Sequence, residues 1–166
     1  MKKILLLSIA LLFASGIFAQ EFEVPKDYKL VIAEDYAPYE QDIIKCVDWL
    51  TKTPLNEQTE KRKEANAFLL KWIEGSPNVL IEIKGEIITF MGSSPDLLMI
   101  FLGGWTKYSL ESRDFENKVE GNMAGLEAII DFYIKNKKIM SKDKNVEKYI
   151  KMKKNDTLKA FVEQNV

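Results

Sequence analysis

Ten lysines lie near the end of the chain, between positions 135 and 159. Of all the residues in the chain, these lysines are the best candidates for binding a ligand or partner. Ammonium groups attract phosphates and carboxylates, so this stretch predicts a surface that contacts an anionic partner. The alternative is a solvated helix face that complements acidic residues of the same molecule. The candidate anion-contacting residues are Lys137, Lys138, Lys142, Lys144, Lys148 and Lys151.

The charge of the chain is unevenly distributed. Residues 20–134 contain 12 Lys or Arg against 21 Asp or Glu, a net charge of −9. Residues 135–166 contain 10 Lys against 4 Asp or Glu, a net charge of +6. Apolar Tyr149 and Phe161 can pack against the rest of the molecule, so we expect the basic tail to stay docked when salt screens the charges. We also expect its binding of anions to be weak at most.

The residue types that usually perform catalysis are scarce. The chain has no histidine, which removes the commonest general base, the commonest metal ligand and every Ser-His or Cys-His pair. An enzyme would depend on carboxylates, such as a pair about 5–9 Å apart that hydrolyses a glycoside. The carboxylates lie on polar faces or in linkers, and only Glu82, in VLIEIK, lies in an apolar run. The sequence therefore predicts no enzyme and no cofactor or metal.

Cys46 is the only cysteine, so an intrachain disulfide is impossible. It shares an apolar stripe with Ile43, Val47 and Leu50. This pattern predicts a buried, unreactive thiol.

The first 19 residues have the pattern of a secretory signal peptide. Lys2 and Lys3 precede an apolar run from Ile4 to Phe13, and small residues lead to Ala19. The run is shorter than the roughly 20 residues of a spanning helix, and no similar run occurs later. We therefore expect cleavage near Ala19, a periplasmic or secreted protein that does not span the membrane, and no nucleic-acid partner.

Apolar spacing predicts several helices in residues 20–166, which we interpret as one helical domain. The central helix covers Ser93 to Tyr108, with Ser94 as its cap and Pro95 in its first turn. Its two glycines, Gly103 and Gly104, predict either a close helix crossing or a kink. Further helices are predicted over 35–53, around 65–73, over 121–135, and as two short helices in the tail, the last capped by Asp156.

Two segments leave alternatives open. Residues 21–33 are either a strap that packs Phe22, Val24, Leu30 and Ile32 onto the helices or a loosely held terminus. Residues 79–91 are rich in Val and Ile and favour a short β-hairpin, although helical spacing also fits. The predicted fold is mainly α, an irregular bundle of about five to six helices with one short hairpin near 79–91.

Three stretches, PLNEQTEKRKEANAFLL, GSPNV and PDLLMIFLGGWTKY, carry a resemblance to uncharacterised small exported proteins of Bacteroidota. The resemblance implies a Gram-negative envelope setting and supplies no activity. We therefore expect a non-enzymatic binding or protein-interaction module of the cell envelope, whose partner is an envelope protein or an anionic envelope component. The alternative is a carboxylate-dependent hydrolase that acts on envelope glycans.

Overall fold

The computed structural model describes residues 22–92 and 94–166, and the predicted signal peptide lies outside them. Two 3-10 turns, Ala33–Asp35 and Ala37–Tyr39, precede the first α-helix. The described residues form a mainly α-helical bundle, as the apolar spacing predicted. Its helices are α1 Glu40–Lys52, α2 Thr59–Gly75, α3 Pro95–Ser112, α4 Lys118–Asn136, α5 Lys144–Lys154 and α6 Leu158–Glu163.

The hairpin predicted for residues 79–91 is wrong, because the described part of the chain contains no strand. The segment forms turns instead, with Ile87 N–H donating to Lys84 O at 3.0 Å. Side chains of α5 satisfy its carbonyls: Tyr149 Oη donates to Ile87 O at 2.7 Å, and Asn145 Nδ2 donates to Thr89 O at 2.8 Å. Burial and these tertiary hydrogen bonds override the β propensity of the segment.

Helix α3 lies at the centre and packs against α1, α2 and α4. It begins at Pro95 as predicted, but the Ser94 side chain makes no capping hydrogen bond. The glycines mark a close crossing. A Cβ on Gly104 would lie 2.7 Å from Ala124 O, and a Cβ on Gly121 would lie 2.2 Å from Trp105 Nε1. The two helices therefore approach as closely as they do because these side chains are missing.

The described residues before α1 form a strap across the bundle rather than a loose terminus. The Phe22 ring packs on Trp49 with 6.2 Å between ring centroids, and Leu30 is buried. Val24 is partly buried, so three of the four apolar residues that we expected in the strap contact the core. Ile32 is the exception, since it is 53% exposed.

Arg62 closes the corner between α1 and α2. The basic triplet Lys61, Arg62 and Lys63 predicts ordinary helix surface, and this prediction is wrong for Arg62, which is only 5% exposed. Its guanidinium donates to Leu50 O at 3.1 Å and to Thr53 O at 2.7 Å. The last carbonyls of a helix have no intrahelical donor, and the planar guanidinium supplies several donors at once.

Helices α5 and α6 pack against α4, and they bury Val146, Tyr149, Leu158 and Val162 in the core. The predicted Asp156 cap is wrong, because Asp156 has a left-handed backbone with φ 56° and α6 begins two residues later. The basic tail is thus anchored by apolar side chains that belong to the core of the bundle.

Candidate functional site

Three of the six candidate lysines share one side of α5. Lys144, Lys148 and Lys151 are spaced by four and three residues, so they lie on the helix side opposite buried Val146 and Tyr149. Seven residues of helix separate the first from the last by about 10 Å along the axis. All three are exposed. We call these three residues the lysine face.

The lysine face makes no ion pair within the described residues. Lys148 Nζ lies 5.4 Å from the centroid of the Phe161 ring, an arrangement that leaves its charge intact. Lys138 and Lys142 are also exposed and without an ion pair in the described ranges, but they lie before α5, where helical spacing does not align them with the face. The structure therefore brings together half of the predicted set.

Other lysines of the tail are neutralised by acidic residues. Lys137 Nζ lies 2.8 Å from Glu147 Oε1, and this hydrogen bond lowers the pKa of the Glu147 carboxyl. Lys153 lies 3.3 Å from Glu127 Oε1, and Lys159 lies 2.6 Å from Glu120 Oε1. The last two pairs join the basic tail to acidic residues of α4. Lys137 thus differs from the lysine face, although both belong to the predicted set.

A groove of about 490 Å³ lies between α1, α3 and α4. Its floor includes Gly104, Ala128 and Phe132. Carboxylates from all three helices reach its rim, which makes it the place to look for carboxylate-based hydrolysis. The acidic rim residues are Asp48, Glu111, Glu127 and Asp131.

The carboxylates on the rim of the groove form ion pairs with lysines. Burial raises the pKa of Asp48, but hydrogen bonds from Lys107 and Lys52 outweigh it and hold the pKa below its usual value. Lys153 pairs with both Glu127 and Asp131. A glycosidase needs one carboxyl with a raised pKa as its general acid, and a lysine partner favours the opposite shift.

Glu82, the acidic residue that the sequence places in an apolar run, is also unsuited to donate a proton. Hydrogen bonds from Lys118 and Lys84 lower the pKa of its carboxyl to about 2. It therefore remains ionised throughout the physiological range.

Cys46 is fully buried, as predicted, and its Sγ lies 3.4 Å from Ala65 O. Burial raises the pKa of this thiol well above its usual value. The described residues contain no group of three His, Cys, Asp or Glu side chains that could hold a metal ion. None of the helices in residues 22–92 and 94–166 is long and apolar enough to cross a membrane.

The lysine face can be predicted from the sequence, because Lys144, Lys148 and Lys151 are separated by four and three residues, the spacing of one helix side. The sequence does not show which lysines are neutralised, because the partners Glu120 and Glu127 are distant in sequence. No sequence pattern marks the groove, because three separate helices supply its rim. Comparison of the chain with protein-family models, with curated proteins and with solved structures found no match.

Proposed function

We propose that the protein is a non-enzymatic binding module of the cell envelope and that its lysine face contacts the phosphate groups of an anionic lipid or lipopolysaccharide surface. One observation carries the proposal. Lys144, Lys148 and Lys151 project from one exposed helix side without an acidic partner in the described residues, whereas Lys153 and Lys159 of the same tail are paired. The envelope setting is supported by the signal-peptide pattern and by the resemblance to exported Bacteroidota proteins.

The composition of the lysine face favours a phosphate layer over a packed protein interface. The centres of protein interfaces are rich in aromatic residues and arginine and poor in lysine. Lysine ammonium groups act as compact point charges and suit phosphates whose positions are not fixed. A row of three exposed lysines about 10 Å long therefore fits a charged surface.

The expected attachment is weak. A lysine near an anionic membrane contributes about 1 kcal/mol, so the lysine face contributes about 3 kcal/mol at low salt. Screening over about 8 Å at physiological salt reduces this further. The net charge of −9 on residues 20–134 also requires that the acidic body face away from the surface.

Vesicle co-sedimentation tests the proposal. The protein should bind phosphatidylglycerol-containing vesicles at low salt, bind less as salt rises, and ignore pure phosphatidylcholine vesicles. The variant Lys144→Gln, Lys148→Gln, Lys151→Gln should lose this binding. A matched control removes three positive charges from lysines that are paired on α1 and α2: Lys45→Gln, Lys52→Gln, Lys63→Gln.

The two triple variants change the net charge equally, so their difference isolates the lysine face. Equal loss of binding in both would reduce the effect to overall charge and overturn the assignment of the face. Binding to neutral vesicles as strong as to anionic ones would overturn the phosphate contact itself.

The acidic rim of the groove supports the hydrolase as a second candidate. This enzyme would release reducing ends from isolated peptidoglycan, and Asp48→Asn together with Asp131→Asn would abolish the release. The lysine partners of both residues weigh against this reaction. Release of reducing ends that depends on these two carboxylates would replace the binding proposal.

A further inference from the structure

Two exposed isoleucines lie on the basic stretch that joins α4 to α5. Ile134, in the last turn of α4, is 52% exposed, and Ile139, in the connection, is 49% exposed. Residues 134–144 also contain five lysines, and the only acidic residue among them, Asp143, is 5% exposed. Single exposed apolar side chains are common, so the meaning of these two depends on their neighbours. Here the exposed charges around them are all positive.

Ile134 is connected to the lysine face by a contact between α4 and α5. Lys137 follows Ile134 by three residues, so the two share one side of the end of α4. Lys137 Nζ lies 2.8 Å from Glu147 Oε1. Glu147 is three residues after Lys144 and four before Lys151, which places it at the edge of the lysine face. A continuous surface therefore runs from Ile134 across the Lys137–Glu147 pair to the lysine face.

Ile139 extends this surface beyond the end of α4. The chain turns there, and Ile139 N–H donates to Asn136 O at 2.9 Å. Ile139 and Lys142 line a small cavity together with Asp143, the residue that caps α5. Ile139 thus lies near the start of α5, where the lysine face begins with Lys144.

We infer that Ile134 and Ile139 are apolar anchors, which enter the acyl region of an anionic phospholipid bilayer while the lysines around them contact its phosphates. The inference rests on the proposed function of the lysine face and specifies a bilayer as its partner. Elements that bind a membrane surface combine apolar residues with lysines, and their affinity grows with the apolar area that they bury. Lysine stems can lie along apolar surface while their ammonium groups reach the phosphates.

A bilayer suits these residues better than a protein partner or a soluble polyanion does. The centre of a protein interface is poor in lysine, whereas five lysines lie in the same stretch as the two isoleucines. A soluble polyanion offers phosphates but no apolar region, so the isoleucines would stay in water. In a bilayer the phosphate layer lies directly above the hydrocarbon core.

Asp131 marks the edge of the bilayer-contacting surface. It precedes Ile134 by three residues on α4, and its side chain is 76% exposed. Lys153 Nζ lies 4.0 Å from Asp131 Oδ1 and offsets part of the negative charge. Because anionic headgroups repel a carboxylate, we expect the α4 residues before Ile134 to remain outside the headgroup layer.

The variant Ile134→Gln, Ile139→Gln removes both anchors without changing the net charge. Its affinity for phosphatidylglycerol vesicles should fall by roughly tenfold, because less apolar area is buried on binding. The matched control is Ile32→Gln, Ile83→Gln, which changes two isoleucines that are 53% and 48% exposed. Ile32 lies before α1, and Ile83 follows Glu82, which pairs with Lys118 at the other end of α4. The control should bind vesicles as the wild type does.

A fluorescent reporter measures the insertion itself. Because Cys46 is buried, Ile139→Cys supplies an accessible thiol for the environment-sensitive dye NBD. Phosphatidylglycerol vesicles should at least double the emission and shift it to shorter wavelength, because the dye enters a less polar region. Soluble polyphosphate should leave the emission unchanged. The same dye attached to Ile83→Cys should not respond to the vesicles.

Two results would overturn the inference. One is wild-type affinity in the Ile134→Gln, Ile139→Gln variant, and the other is an NBD emission at position 139 that stays unchanged while the protein is bound to vesicles. Either result leaves the lysine face in place as long as Lys144→Gln, Lys148→Gln, Lys151→Gln abolishes binding. A wild-type protein that does not bind phosphatidylglycerol vesicles at low salt would overturn the anchors and the lysine face together.

Discussion

Replacing Trp105 by Ala should remove a large buried side chain from the contact between α3 and α4. Trp105 is 2% exposed, and its ring lies edge-on to Phe101 with 6.1 Å between centroids. Truncating a buried tryptophan costs about 3–5 kcal/mol. With a urea dependence of about 2 kcal/mol per molar, the unfolding midpoint should fall by roughly 1.5–2.5 M.

The contact between Trp105 and Gly121 allows a sharper test. In the wild type, Gly121→Ala would place a Cβ 2.2 Å from Trp105 Nε1, and this overpacking should destabilise by about 1–3 kcal/mol. In the Trp105→Ala background the clash is gone, and the same change should stabilise by about 1 kcal/mol through helix propensity. The cycle therefore predicts a coupling energy of roughly 2–4 kcal/mol.

Urea unfolding of the four proteins measures this coupling, and Lys142→Ala serves as an exposed control that should change stability by less than about 0.5 kcal/mol. The reasoning fails if Trp105→Ala is as stable as the control. It also fails if Gly121→Ala has the same effect in both backgrounds, since the indole would then not be what excludes the Cβ.

Four further predictions concern other parts of the fold. Arg62→Ala should lower the free energy of unfolding by roughly 2–4 kcal/mol, because it strands buried carbonyls at the end of α1; urea unfolding against the wild type checks this. Native Cys46 should react with a thiol reagent far more slowly than after unfolding, and equal rates would show that the thiol is accessible. The pKa of Asp48 is lower in the folded than in the unfolded protein, so its carboxylate should stabilise the fold above the unfolded pKa of about 3.9. This stabilisation should be lost as pH falls through the folded pKa. Urea unfolding should therefore show Asp48→Asn to be less stable than the wild type at pH 7 and equally stable in strong acid. Raising salt from 0.1 to 1 M should leave residues 144–163 docked, as judged by near-UV circular dichroism, since apolar packing is not screened; a loss of tyrosine signal would contradict this.

Local signals in the sequence located the helices well where the physics is local. Pro95 fixes the start of α3, and the spacing of Ile43, Cys46, Val47 and Leu50 identifies the buried side of α1. The glycines of α3 predicted a close crossing or a kink, and the contact at Ala124 O shows the crossing. In the first two cases the feature depends on residues within one helix. In the third it depends only on the absence of a side chain at a glycine.

The failures arise where a distant residue decides the outcome. Tyr149 and Asn145 satisfy the carbonyls of residues 79–91 from more than fifty residues away, so the β-branched run needs no partner strand. Arg62 is buried because the end of α1 offers carbonyls to it. For the candidate sites, spacing predicts the lysine face, but the exposure of Ile134 and Ile139 depends on tertiary packing that no sequence pattern records.

The close approach of α3 and α4 sets the order in which the molecule opens. The two backbones lie so close at Gly104 and Gly125 that a Cβ on either glycine would meet backbone atoms of the other helix, at 2.7 Å from Ala124 O and 2.9 Å from Phe101 O. A small separation there therefore breaks many contacts at once. Amide protons between Phe101 and Trp105 should therefore exchange with solvent only when the whole domain unfolds. The strap before α1 and the six-residue α6 can detach in earlier, local unfolding events. The contact between α3 and α4 is therefore the last part of the described fold to open.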